Sequence, residues 1–262
     1  MKIGWYTHHT EQDVKPSENG LNGLFSGRFA GGAEMSDFEY RQKAPKDYEI
    51  EVISPNNWID PEIFDSVIVT GTEGFDDVQL LTLSRFEPFV FVHHLQEQRV
   101  SVKFLIDDSR MFVTHTPAHM MRELMWTEPK RTGQVLSCFD TSEIELGEDK
   151  FTQAVWAGRN HPLKGLLSAK FWAAQQKLPL IVHKDSPRSD VLRDLTASKW
   201  FVHLPLAFES ECRTAMEAVL AGCKIHVNDF VGISSVEDWD QPEVLKNMID
   251  KAGETFWRLV QQ

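Results

Sequence analysis

Short apolar runs of strand length recur along this chain, and between them apolar residues fall at helical spacing. "KIGWY" opens it, followed by "YEIEVISP" at 48–55, "SVIVTG" at 66–71, "FVFVHH" at 89–94 and "MFVTHT" at 111–116. The intervening "DDVQLLTLSRF" and "PAHMMRELMW" place apolar residues one helical turn apart. Strand then helix, repeated, requires a mainly parallel sheet, because parallel neighbours need a crossover and a helix supplies it. The predicted fold class is α/β.

The stretch "TEPKRTGQVLSCFDTSEIELGEDK" breaks the rhythm with Gly, Pro, Ser and charges, and a domain boundary is expected within it. The alternation then restarts with "QAVWAG", "KGLLSAKFWAAQQK", "LPLIVHK", "DVLRDLTAS", "WFVHLP", a helix around Glu217 and "KIHVND". Two Rossmann-like units follow, 1–145 and 146–262, the second closing on an amphipathic helical tail, "PEVLKNMIDKAGETFWRLVQQ". The chain has 262 residues and 42% hydrophobic composition, enough for real cores in both units.

A net charge of -12 argues against a protein held to nucleic acid or to an anionic membrane mainly by a basic field, while leaving room for a local basic groove. Cys138, Cys212 and Cys223 show no CxxC spacing, so neither a zinc site nor a disulfide framework is expected. "MKIGWYTHH" lacks the features of a signal peptide, and no run of about 18 apolar residues occurs. The expectation is a cytoplasmic protein without membrane insertion, and the absence of a hydrophobic docking stretch favours a soluble acceptor.

In open parallel sheets ligands bind outside the carboxyl ends of the strands, so the residues just after each strand are the candidates. "AGRNHPLKG" sets Arg159 and Lys164 around a proline-containing turn, where two cations and backbone N–H groups suit a diphosphate. The same turn reads equally well as a solvated basic loop. Gly31 and Gly32 precede a helix and would let backbone approach a ligand, or simply make a turn. The segment "EQDVKPSENGLNGLFSGRF" before them reads as a loop able to close over a ligand. His93 and His94 end a strand, positioned either to polarise a substrate hydroxyl or to serve structurally. "HTPAH" lacks the glutamate of HExxH, and "DWD" at 238–240 reads as a solvated loop, so no metal site is expected. "AFESECRTAMEAVLAGCKIHV" holds Glu209 just ahead of a small-residue helix and Glu217 one turn inside it. Helix capping accounts for one carboxylate at most.

The order AGR-x4-KG, a strand, E-x7-E, A-x-x-A-G and another strand resembles the second domain of retaining glycosyltransferases of family 4, which have the GT-B fold. The resemblance implies that Arg159 and Lys164 bind the donor diphosphate, that Glu209 lies near the donor sugar and that Glu217 holds the ribose hydroxyls. An acceptor-only carboxylate is suited to two vicinal hydroxyls. "GGAE" at 31–34 and "FVFVHHL", with His93 at the matching position and His94 where an aspartate is common, resemble the family's first domain. The chain departs from it at Glu211 and Cys212, where an aromatic-glycine pair is usual, and at Lys224, where proline is usual.

The resemblance implies two Rossmann-like domains facing a cleft, with the acceptor on the first and the nucleotide sugar on the second. It implies transfer of a hexosyl or pentosyl group from a nucleotide-diphosphate sugar, a UDP-sugar first among donors, with retention and without metal or other cofactor. A glycan, a small molecule or a hydroxymethylated DNA base are the candidate acceptors. A GT-B-fold epimerase or phosphorylase, or a sugar-nucleotide-binding pseudoenzyme, are the alternatives.

Overall fold

The computed structural model describes residues 1–8, 24–25, 28–29, 32–93 and 99–262. The first unit runs β1 (Lys2–Tyr6), the short pair β2 (Leu24–Phe25) and β3 (Arg28–Phe29), then α1 (Gly32–Gln42), β4 (Glu49–Ile53) and β5 (Ser66–Val69). It continues through α2 (Asp77–Ser84), β6 (Phe89–Val92), α3 (Val100–Asp107), β7 (Met111–Thr114), α4 (Pro117–Glu123) and β8 (Thr132–Gln134). Apart from the antiparallel β2–β3 pair, its strands form one parallel sheet in the order β4-β1-β5-β6-β7-β8. β6 and β7 are buried at every position, as strands covered on both faces must be.

Local chemistry starts the helices where the chain leaves each strand. Asp76 accepts from the Gln79 N–H while the Gln79 side chain accepts from the Asp76 N–H, a reciprocal cap that begins α2. Thr116 caps α4 with Pro117 behind it, where the missing N–H costs nothing. β8 was not anticipated. β8 lies inside the stretch read as a boundary: its polar composition marks an edge strand, exposed at two of its three residues.

The second unit comprises β9 (Phe151–Gly158), α5 (Leu166–Gln175), β10 (Leu180–Lys184), α6 (Arg188–Ala197), β11 (Ser198–His203), α7 (Arg213–Leu220) and β12 (Lys224–Val227), and α8 (Pro242–Asp250) and α9 (Ala252–Val260) close the chain. Its sheet is parallel in the order β10-β9-β11-β12. The two parallel-sheet Rossmann-like units agree with the alternation in the sequence.

The helical tail divides between the units. α8 packs into the second core through Leu245 and Ile249. α9 crosses back to the first, where Phe256 and Trp257 join Ile3, Trp5 and Tyr40. The Phe256 ring stacks on Tyr40 at 4.3 Å, Trp257 Nε1 donates to the Tyr40 carbonyl at 2.8 Å, and Arg110 donates to the Val260 carbonyl at 3.1 Å. The sequence grouped this helix with the second unit because amphipathicity says that a face is buried, and not against which sheet. The Lys150 ammonium, at the end of the boundary stretch, lies 2.8–3.2 Å from four carbonyls, Leu195, Thr196, Ser198 and Ala221, and shares its three N–H donors among them, tying the ends of α6 and α7 together.

Candidate functional site

Each sheet has a switch point where the strand order reverses, between β1 and β5 in the first and between β9 and β11 in the second. At the second, the turn after β9 folds against the chain leaving β11. Gly165 makes that approach possible: its φ is +73°, and a Cβ there would lie 1.8 Å from the Leu204 carbonyl oxygen. The turn brings Lys164 Nζ to 2.9 Å from Glu209 Oε1. The backbone of Glu209 is clamped from the other side, its N–H donating to Phe230 O and its carbonyl accepting from Gly232 N–H, both at 2.8 Å.

His203, the last residue of β11, is buried and meets the same carboxylate oxygen through Nε2 at 2.8 Å. Burial alone would raise Glu209, but the His203 and Lys164 partners outweigh it and hold the carboxyl down at about 2. Burial alone would depress His203; the adjoining Cys212 and Glu209 reverse that and push it up to about 10. The group therefore sets an imidazolium and an ammonium on one carboxylate oxygen, and Arg159 is exposed on the same turn. Such a volume attracts an anion. His203, Glu209 and Cys212 do bring one potential ligand atom each within 4.8 Å of one another. A divalent cation there would have to displace both the imidazolium proton and the Lys164 ammonium, so the donor set suits a phosphate better than a metal.

At the first switch point a sealed network replaces the open one. Asp37 on α1 accepts from Thr7 at 2.9 Å and Thr70 at 2.7 Å, residues that directly follow β1 and β5. Its other oxygen lies 2.8 Å from His93 Nε2, and His93 Nδ1 lies 3.0 Å from His115 Nε2. His115 Nδ1 reaches the Val135 carbonyl at 3.3 Å, which makes that nitrogen the donor. Burial, then the neighbouring His93 and His119, hold His115 well below the usual imidazole range, so its Nε2 accepts. His93 Nδ1 then donates to His115, and its Nε2 is held against the Asp37 carboxyl.

The network continues across the domain seam. His115 lies 3.7 Å from Glu211, whose carboxylate takes the Ser137 N–H at 2.6 Å and the Ser137 hydroxyl. Burial pushes Glu211 up to about 7, against the pull of those two donors. Thr116 also donates to the Ser210 carbonyl at 2.8 Å, tying α4 to the loop that carries Glu209 and Glu211.

Glu217 sits one turn inside α7 and is buried. Its Oε1 accepts from Arg188 Nε at 2.8 Å and Arg213 Nε at 3.1 Å, and Arg188 also pairs with Glu143. Arg213 stacks over the Phe139 ring at 4.5 Å. Cys212, which begins α7, has a left-handed backbone with φ +74°. That geometry accounts for glycine being usual at this position in the family the sequence resembles.

The structure thus brings Lys164 and Glu209 together, with Arg159 on the same turn. It sets Glu217 apart, among arginines, and commits both nitrogens of His93 to Asp37 and His115. Gly32 opens α1. Gly31, His94 and most of the loop at 11–29 lie outside the described residues. Sequence reasoning missed His203, Arg188, Asp37 and His115. The strand-end rule that selected His93 points equally to His203 after "WFV", and Arg188 lies just beyond the end of β10. His115, the residue after β7, falls under the same rule, whereas nothing local marks Asp37, which acquires meaning only when α1 meets the ends of β1 and β5.

No protein-family model matches the chain, and no curated protein matches it in sequence. Solved structures match its fold. Sucrose-phosphate synthase from Thermosynechococcus elongatus is similar over 100% of this chain and 94% of its own, at 10% identity and a TM-score of 0.62. HepE from Anabaena, in complex with UDP and glucose, is similar over 99% and 92%, at 10% identity and a TM-score of 0.55. The lipopolysaccharide outer core galactosyltransferase WaaB, in its apo form, is similar over 100% and 99%, at 9% identity and a TM-score of 0.57. Those likenesses and the two parallel sheets give this chain the GT-B fold, two Rossmann-like α/β domains facing a cleft.

Proposed function

We propose that the protein is a glycosyltransferase that takes a nucleotide-diphosphate sugar, a UDP-sugar first, at the carboxyl ends of β9 and β11. One observation carries the reading: Lys164, Glu209 and His203 converge at the second switch point, with Arg159 exposed on the same turn. Fold likeness to HepE, itself seen with UDP and glucose, supports the choice of donor.

In this reading Arg159 and Lys164 neutralise charge developing on the leaving diphosphate, an electrostatic effect typically worth about 3–4 kcal/mol per donor group. Glu209 orients the donor sugar, held in place by His203. Gly31, Gly32 and the N-terminus of α1 approach the diphosphate from the first domain. Glu217 meets the ribose hydroxyls, its carboxylate oriented by Arg188 and Arg213. His93, with both ring nitrogens engaged by Asp37 and His115, acts on the first-domain side by positioning.

The leaving phosphate takes the acceptor proton, which makes retention possible without a protein base. The cations supply the charge compensation that a metal would otherwise give. Residues 1–145 with α9 form the acceptor side, and 146 to the end of α8 the donor side.

The test is calorimetric titration with nucleoside diphosphates and their sugar conjugates, with and without magnesium. Micromolar, magnesium-independent binding of uridine diphosphate is expected, followed by an acceptor screen across glycans, small molecules and hydroxymethylated DNA. No heat with any nucleotide would remove the reading. A sugar-nucleotide-binding protein without transfer is the second reading, favoured by the burial of Glu217 between two arginines. Binding without turnover against every acceptor and without donor hydrolysis would select it.

A further inference from the structure

We propose that the outer face of α5 docks reversibly on an anionic lipid surface. Leu167 and Phe171, one turn apart on α5, are 81% and 65% exposed. Leu163, in the short turn just before the helix, and Leu206 are 46% and 59% exposed, and the Leu206 N–H donates to the Leu163 carbonyl at 2.8 Å, which holds the two together. Lys170 and Lys177 are exposed on the same helix and at its end. Exposed large apolar side chains with lysines beside them make a face that is apolar at its centre and cationic at its edge.

Charge supplies the identity of the partner. Residues 151–184, spanning β9, α5 and β10, hold Arg159, Lys164, Lys170, Lys177 and Lys184 and none of the chain's 39 acidic residues. Of these, Lys170 and Lys177 belong to α5 and its end beside the apolar face, a local cationic field in a protein of net charge -12. A nucleic acid would use the lysines and leave Leu167 and Phe171 without a partner. A symmetric second copy would bring Lys170 and Lys177 close to their own mates. An anionic headgroup layer over acyl chains satisfies both halves of the face. A search for continuous apolar runs misses it, since the exposed residues are spread over one helix face. Among the described residues no helix is long and apolar enough to cross a membrane, so this contact lies on the surface. It stands apart from the transferase reading, in which neither Leu167 nor Phe171 takes part.

The experiment is co-sedimentation of the full chain with vesicles of phosphatidylcholine alone and of phosphatidylcholine mixed with phosphatidylglycerol, at low and moderate salt. Binding to the mixed vesicles that weakens with salt is expected. The Leu167→Ser/Phe171→Ser pair should abolish it. The Lys170→Gln/Lys177→Gln pair should weaken it about fivefold per lysine, the equivalent of ~1 kcal/mol each. All four side chains are exposed, so thermal melts of both variants should overlay the parent. A protein that stays in the supernatant with both vesicles would overturn the proposal. So would equal binding to neutral vesicles, parent-like binding by both variants, or a dimer in sedimentation velocity that the Leu167→Ser/Phe171→Ser pair dissociates.

Discussion

Glu209 and Glu211 are two residues apart in one loop, yet their surroundings drive them in opposite directions. Glu209 faces the end of the second sheet, beside an ammonium and an imidazolium, and is held at about 2. Glu211 faces the sealed seam, where burial dominates, and is pushed up to about 7. The difference shows that charge near a carboxyl decides its state only where that charge outweighs the cost of leaving water. It separates an open end able to receive an anion from a closed network that joins the two domains.

The largest expected effect concerns a third carboxylate, Glu217, buried between arginines and apart from both. Glu217→Ala leaves Arg188 and Arg213 facing each other in the interior, and loss of one partner of a buried ion pair typically costs about 3–5 kcal/mol. Chemical denaturation should show that loss. Donor titration of the folded variant then separates roles: a raised dissociation constant supports ribose contact, and an unchanged one confines Glu217 to organising the arginines.

On the open side, Lys164→Ala should lower turnover by roughly 10²–10³, the usual cost of a lost transition-state donor, with a smaller change in donor affinity. Steady-state kinetics beside calorimetry measures both. A loss of affinity with turnover retained would make Lys164 a ground-state anchor and erase the functional contrast between the two ends.

The third prediction concerns pH. Glu211 has its folded pKa raised from 4.5 to about 7, so its protonated form favours the fold. Its contribution is fully present below the unfolded value and is lost as pH rises through 7, an amount on the order of 3 kcal/mol. Glu211→Gln should flatten stability between pH 5 and about 8 and exceed the parent at the upper end. Glu209 has the opposite sign: its contribution is present above 4.5 and is lost as pH falls towards 2. Melting curves of Glu211→Gln that track the parent at every pH would remove the contrast between the two glutamates.

The smallest effect is Cys212→Gly. A non-glycine residue in the left-handed region carries strain of about 1–2 kcal/mol, and the lost thiol packing offsets part of the relief. A rise of up to about 1 kcal/mol in denaturation free energy is expected. A fall would mean that Cys212 contributes more to the His203 and Glu209 cluster than its backbone costs.

Much of the fold was legible because period-2 and helical patterns are local. The runs at 2–6, 66–69, 89–92 and 111–114 are strands within a residue or two of where their β-branched and aromatic composition ends. β8 escaped because "TGQ" has neither apolar content nor alternation, and it pairs only because β7 presents an edge. In the site, Arg159, Lys164 and Glu209 were visible as polar residues after strands. His203 was hidden in its own apolar run, and the arginines that engage Glu217 come from a different helix and from the turn before Glu217.

The sequence by itself determined the alternating α/β architecture, the two parallel sheets and the polar loops at their carboxyl ends, since each follows from spacing along a few residues. Only the tertiary structure decided that α9 belongs to the first core, that Glu209 is ionised while Glu211 is pushed towards neutrality, and that Glu217 answers to arginines. Those outcomes depend on desolvation and on partners distant in the chain, and neither quantity exists until the domains close on each other.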